Sequence, residues 1–185
     1  AGGVNCSFIL RPTKSLTDVP QLALVTGLAV AETLHHLSGL RPAIRWPNDV
    51  LLDGEKVAGI LVESASQGAQ VSAVIVGIGI NVMTAPRDLP SGATSLSVKT
   101  TSISDRFLLT GRLCRHLSQR YDQWNREGFS SIRKELVPWI GMFGKLVSMV
   151  TGQAQNAEGR RPQAVEMQGQ VVDLDDAVHR QDRAV

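Results

Sequence analysis

The chain has 185 residues, 43% of them hydrophobic and 19% charged, with a mean hydropathy of zero, which is the composition of a soluble globular protein with one sizeable core. A formal charge of +2 spread along the chain is too mild to indicate nucleic acid, so DNA binding is not visible in it. Two cysteines far apart, Cys6 and Cys114, exclude a secreted disulfide scaffold and point to a cytoplasmic protein, and the longest apolar runs fall short of the roughly 20 residues that cross a membrane.

Asn5–Leu10 alternates loosely and predicts a short strand, stopped by Arg11-Pro12. Asp18 as N-cap and Pro20 in the first turn predict the start of a helix whose body, Gln21–Leu37, is apolar on nearly every side and therefore buried. Ser38-Gly39 and Pro42 end it.

Ala43–Trp46 predicts a strand that Pro47 interrupts and Val50–Leu52 resumes. Asp53-Gly54 is a hairpin signal, and Lys56–Glu63 is the return strand. Ser64–Gln70 reads as a polar loop and Val71–Ile80 as a central, β-branched strand. Residues 43–80 are thus expected to form an antiparallel meander backed by the first helix.

Ser102–Asp105 resembles a capping box for a helix running to Arg126, with Phe107, Cys114, Leu117, Tyr121 and Trp124 as its core positions. Phe129–Ile140 predicts a second, shorter helix. After Gly144 weak strands at Lys145–Thr151, Ala164–Met167 and Gln170–Leu174 suggest a small β appendage with a frayed tail at His179–Val185. The fold class is therefore α+β, with a mixed or antiparallel sheet packed by helices over residues 1–141 and a small β domain over 142–185.

The candidate chemistry lies in three stretches. Lys56 alone at the head of a buried strand is ordinarily an edge lysine with its ammonium in water. Gly59 close by changes that reading, because a glycine inside a strand marks the close approach of a backbone or ligand. Asn48-Asp49 is explained by turn chemistry, or by two polar side chains facing the same cavity as Lys56, where the aspartate could hold magnesium or orient an incoming amine. Gly77-Ile78-Gly79-Ile80-Asn81 is not the dinucleotide fingerprint, since no helix can start at Thr84–Pro90; it leaves an opening and an amide able to pair with an adenine edge. His35-His36 lack a carboxylate or cysteine at metal spacing.

The stretches RWPND (45–49), GEKVAGILVE (54–63) and GIGINV (77–82), in that order and spacing, closely resemble biotin protein ligases. The resemblance implies a class II synthetase-like catalytic fold followed by an SH3-like domain. It implies an enzyme that makes biotinyl-5′-AMP from biotin and Mg-ATP and passes the biotinyl group to a lysine of a biotin carboxyl carrier protein. It further implies that Lys56 contacts the biotin carboxylate and the α-phosphate, and that Gly59 and Leu61 form the floor and wall of the biotin slot. Gly77 and Gly79 would leave room for the ring and the adenylate, and Asn81 would read the adenine. Asn48 and Asp49 would place the metal, the adenylate or the acceptor lysine. Arg45 stands where the family usually has lysine. The family's glycine- and arginine-rich biotin loop has no counterpart in these residues and is expected to precede Ala1, which leaves the activity of the chain by itself in doubt. Two alternatives stand beside the ligase: a non-catalytic fragment acting by carrier binding or dimerisation, and a lipoate-type acyl ligase on the same scaffold. A homodimer is compatible with all three.

Overall fold

The computed structural model describes residues 2–67, 70–102 and 105–141, together with the backbone of two later strands. The first unit is an antiparallel five-stranded sheet: β1 (Gly3–Leu10), β2 (Ala43–Arg45), β3 (Asp49–Leu52), β4 (Glu55–Gln67) and β5 (Gln70–Asn81), in the spatial order β1-β5-β4-β3-β2. The expected meander is present, and β1 closes it on the far edge of β5.

The 18-residue helix α1 (Gln21–Ser38) covers one face of the sheet. Its all-round apolar sequence has a direct cause: Leu22, Leu24, Val25, Leu28, Val30 and Leu34 are fully buried, between the sheet and the helix α3 (Arg106–Glu127). The facing strand positions, among them Ile44, Val50, Ile60, Val76 and Ile78, are buried as well. Gly27 permits the close approach, for a β-carbon there would already touch Ile44 Cγ2 at 3.5 Å and Ile60 Cδ1 at 3.7 Å. A four-residue helix α2 (Leu96–Lys99) follows β5, and α4 (Phe129–Leu136) follows α3.

Several expectations are corrected. Asp18 does not cap α1: it closes a 3-10 turn at Leu16–Asp18, accepting from the Ser15 N–H at 3.2 Å and its hydroxyl at 2.7 Å, and Pro20 occupies the N-cap position. Trp46-Pro47-Asn48 does not interrupt one strand; with a cis Trp46–Pro47 peptide it reverses the chain, so that Arg45 pairs with Asp49. Ser64–Gln67 and Gln70 are not loop but the distal parts of β4 and β5, an exposed ribbon that needs no apolar face. A bulge between Ala65 and Ser66 separates this distal ribbon from the body of the sheet. The N-cap of α3 is Asp105, its Oδ1 accepting from Phe107 N (2.8 Å) and Leu108 N (3.1 Å). Phe107 is 89% exposed; the buried stripe is Leu109, Leu113, Leu117 and Trp124. Pro138 tightens the end of the last helix into a 3-10 turn at Val137–Trp139.

The second unit is represented by β6 (Leu146–Thr151) paired antiparallel with β7 (Val165–Gln170). Of the weak strands expected there, Lys145–Thr151 and Ala164–Met167 fall largely on β6 and β7, while most of Gln170–Leu174, the tail and the rest of the expected SH3-like domain lie outside the described residues. No helix among the described residues is long and apolar enough to cross a membrane. Cys6 and Cys114 are both free.

Candidate active site

The face of the sheet opposite α1 carries the polar residues. Directly opposed residues of antiparallel strands point to the same face, so the register lays out a row across all five strands: Asn5, Gly79, Gly59, Asp49 and Arg45. The neighbouring row runs Ser7, Gly77, Leu61. Both rows have glycine at their centre, which lowers the floor and leaves polar groups standing at its edges.

Lys56 joins this face through an irregularity. Lys56 and Gly59 are three apart, a spacing that would put them on opposite faces of a regular strand. A bulge between β3 and β4 corrects the phase: Leu51 pairs with Lys56, whereas Val50 pairs with Ala58, leaving Val57 as the extra residue, fully buried. The lysine side chain then lies over Gly59, where a β-carbon would stand 3.0 Å from Lys56 Cε and 3.1 Å from Nζ.

The ammonium of Lys56 is 2.5 Å from Asp49 Oδ1, and Arg45 Nη2 donates to Asp49 Oδ2 at 2.6 Å. Burial pushes the Asp49 carboxyl up, but hydrogen bonds and charge from Arg45 and Lys56 outweigh it and hold the group below its ordinary value. Asp49 is only 14% exposed, while Lys56 keeps 43% of its side chain open, so the excess positive charge is the part that faces outward. Asn48 continues the ladder past β3: its O accepts from Ile60 N at 2.9 Å and its Nδ2 donates to Ile60 O at 2.8 Å.

These rows enclose a hollow of about 420 Å³ lined by Asn5, Ser7, Asn48, Lys56, Gly59, Leu61, Gly77 and Gly79 as well as by parts of Cys6, Ile60 and Ile78. Six of the residues expected from the sequence therefore share one cavity. Arg45 and Asp49 stand beside it as the ion-paired support of Lys56. Asn81 is set apart, its Nδ2 donating to Thr94 O at 3.1 Å. The sequence reading missed Asn5 and Ser7; their alternation with Cys6 and Phe8 was a signal for an open face, but their partner strand begins at Gln70.

A cavity of this size with a flat glycine floor, an apolar wall at Leu61 and one cation suits a small, flat ligand bearing an anionic group. The residues do not make a magnesium site. Both oxygens of Asp49 already face cations, and among the described residues no group of three or more His, Cys, Asp or Glu could hold a metal ion. A second hollow, of about 540 Å³ beside α1 and α3, is lined by Glu32, His35, His36, His116, Arg120 and Trp139 among others. Its charges are internally satisfied, since Arg120 pairs with Glu32 and Glu135 and His116 Nδ1 meets Thr33 Oγ1 at 2.9 Å.

Residues 1–81 match the model of the Biotin/lipoate A/B protein ligase family. The chain is 36% identical over 163 residues to the biotin–[acetyl-CoA-carboxylase] ligase of Paracoccus denitrificans, covering 84% of this chain and 68% of that protein. It is 38% identical over 135 residues to the bifunctional ligase/repressor BirA of Bacillus subtilis, covering 71% of this chain but 42% of the relative, so it spans about two fifths of that protein's length. Among solved structures, the biotin protein ligase of Aquifex aeolicus in complex with biotin and ATP superposes with a TM-score of 0.76 at 26% identity, over 95% of this chain and 68% of that one.

Proposed function

The chain belongs to the biotin protein ligase family, and from that premise we propose that it activates biotin with ATP and transfers the biotinyl group to a lysine of a biotin carboxyl carrier protein. The observation that carries the reading is the single hollow in which a glycine floor, the Leu61 wall and the Lys56 ammonium come together. In the first step a biotin carboxylate oxygen attacks the α-phosphorus of ATP; the new carboxyl–phosphorus bond forms as the bond to the β-phosphate oxygen breaks and pyrophosphate leaves. Lys56, held by Asp49 and with its charge facing the hollow, draws the carboxylate and phosphate together and stabilises the charge that gathers on the phosphoryl oxygens. In the second step the neutral acceptor amine attacks the acyl carbon, AMP departs and the surplus proton passes to solvent.

Gly59 and Leu61 take the biotin ring, Gly77 and Gly79 the junction with the adenylate, and Asn5 and Ser7 supply polar edges on the β1 side. Asn81 borders the nucleotide end, which it shapes through its bond to Thr94. Magnesium is read as part of the substrate, arriving on the ATP phosphates.

The test is biotin-dependent exchange of labelled pyrophosphate into ATP by the purified protein carrying the glycine- and arginine-rich loop expected to precede Ala1. Lys56→Ala is expected to lower the exchange rate about 10²- to 10³-fold with the fold intact by circular dichroism. Exchange that is undiminished in Lys56→Ala sinks the role given to that residue. Exchange that responds to lipoate rather than biotin moves the chain to the acyl-ligase alternative. Calorimetric binding of carrier protein without biotin binding points instead to a non-catalytic role.

A further inference from the structure

Lys56 is held by more than its strand. The bulge places it just before the point where β5 begins to cover β4, at the pair Ala58–Ile80. On that uncovered side residues 92–94 take the place of β5. The Lys56 N–H donates to Gly92 O and the Lys56 carbonyl accepts from Thr94 N–H, both at 2.9 Å, and Ala93 stands beside Lys56 as in a parallel pair. A short loop segment thus fixes the backbone of the one cation that, among the described residues, lines the hollow.

That segment is itself tied down at several points. Asn81 Nδ2 donates to Thr94 O at 3.1 Å, Ser95 Oγ to Thr84 O at 2.9 Å, and Ser97 N to Val82 O at 2.8 Å. Its far end carries Lys99, whose ammonium lies 2.8 Å from Glu55 Oε2 and 3.1 Å from Asp53 Oδ2. Asp53 and Glu55 flank Gly54 at the turn between β3 and β4, so both belong to the hairpin that carries Lys56. The Lys99 side chain is 17% exposed, unusually covered for a lysine among surface carboxylates. Segment and hairpin are therefore joined twice, by backbone at Lys56 and by charge at Lys99.

We propose that Lys99 is a positioning residue for Lys56: its paired contacts with Asp53 and Glu55 clamp residues 92–99 onto the β3–β4 hairpin, and Gly92 and Thr94 then set the direction in which Lys56 leaves the sheet. For what Lys56 does, this rests on the ligase reading above; for how Lys56 is held, it rests on the contacts alone. Removing the ammonium frees the hairpin end of the segment without touching any group that lines the hollow.

Two measurements on the protein carrying that upstream loop separate these layers. Lys99→Met keeps the aliphatic stem and removes the charge; Lys99→Arg keeps the charge. Amide hydrogen exchange at Lys56 and Thr94 is expected to rise about tenfold in the Met variant, with the Ile78 amide unchanged and the Arg variant near wild type. Biotin-dependent pyrophosphate exchange is expected to fall about tenfold in Lys99→Met, and to fall no further when the same change is made in Lys56→Ala. Unchanged amide exchange overturns the clamp whatever the reaction is. An equal loss of activity with and without Lys56 overturns positioning in favour of a general structural effect. A wild type without biotin-dependent exchange, but with the amide response intact, sinks the ligase reading and upholds the clamp. Should Lys99→Met not fold, Glu55→Gln removes half of the clamp and is read by the same two amides, with the same direction expected.

Discussion

Gly59 bears Lys56 on its bare backbone, and the consequence is local and testable. A β-carbon there would sit 3.0 Å from Cε and 3.1 Å from Nζ, tighter than ordinary contact, yet both belong to the far end of a flexible side chain that can give by the few tenths of an ångström required. Gly59→Ala is thus expected to leave the thermal midpoint unchanged or slightly raised, since alanine orders a strand better than glycine. The displaced ammonium is expected to lower biotin-dependent exchange about tenfold. Thermal melting and exchange assays on the same preparation check both halves; a variant that melts early but retains activity would contradict the arrangement. Asp49 explains why the displacement matters: with Arg45 on one oxygen and Lys56 on the other, it sets where the ammonium rests.

Beside the Thr33–His116 and Glu32–Arg120 contacts, one more polar pair joins the helices inside the apolar layer. Trp124 of α3 is fully buried and its indole N–H donates to Gln21 Oε1 at 2.7 Å, joining the first turn of α1 to the last turns of α3. Trp124→Phe takes this donor from a residue that is itself buried, and is expected to cost about 1–3 kcal/mol, read as a lower urea midpoint at an unchanged slope. At this scale the sequence was informative where pattern and burial coincide. The all-apolar body of α1, the Asp53-Gly54 turn and the β-branched run of β5 all predicted their elements, because each is dictated by contacts with the core or by backbone sterics. It misled where an element stands free of the core. The distal ribbon at Ser64–Gln67 has a loop's composition, and Phe107 belongs to a helical pattern but lies beyond the last layer it could pack against. The site was legible in part. Asn48, Lys56, Gly59, Leu61, Gly77 and Gly79 lie in the stretches that suggested a site, whereas Asn5, Ser7 and the 92–94 segment join it through pairings distant in sequence.

Across the first unit the two faces of the sheet do different work. One is filled by α1 and its neighbours; the other shows apolar side chains to the outside, with Ile9 64%, Leu61 58% and Ile75 42% exposed around the glycine rows. A ligand settling on that face couples its binding to the stability of all five strands, because the row from Asn5 to Arg45 exists only when every strand is paired. Biotin at about 100 times its dissociation constant is expected to raise the unfolding midpoint by about 5–10 °C. Differential scanning fluorimetry reads this directly, and equal shifts with lipoate would argue against selectivity for biotin.

The bulge at Ala65–Ser66 gives the ribbon of β4 and β5 a further property. Pairing between Ala58–Ala65 and Ala73–Ile80 keeps one unbroken register, and the count changes only beyond it. The bulge works as a slip joint: a residue gained or lost toward the ribbon's end is taken up there, while the alternation of buried and open side chains locks the inner stretch. The end of the ribbon is accordingly the natural place to splice in an epitope or a fluorescent label, since lengthening it leaves Gly59 opposite Gly79 and the glycine-floored face in step.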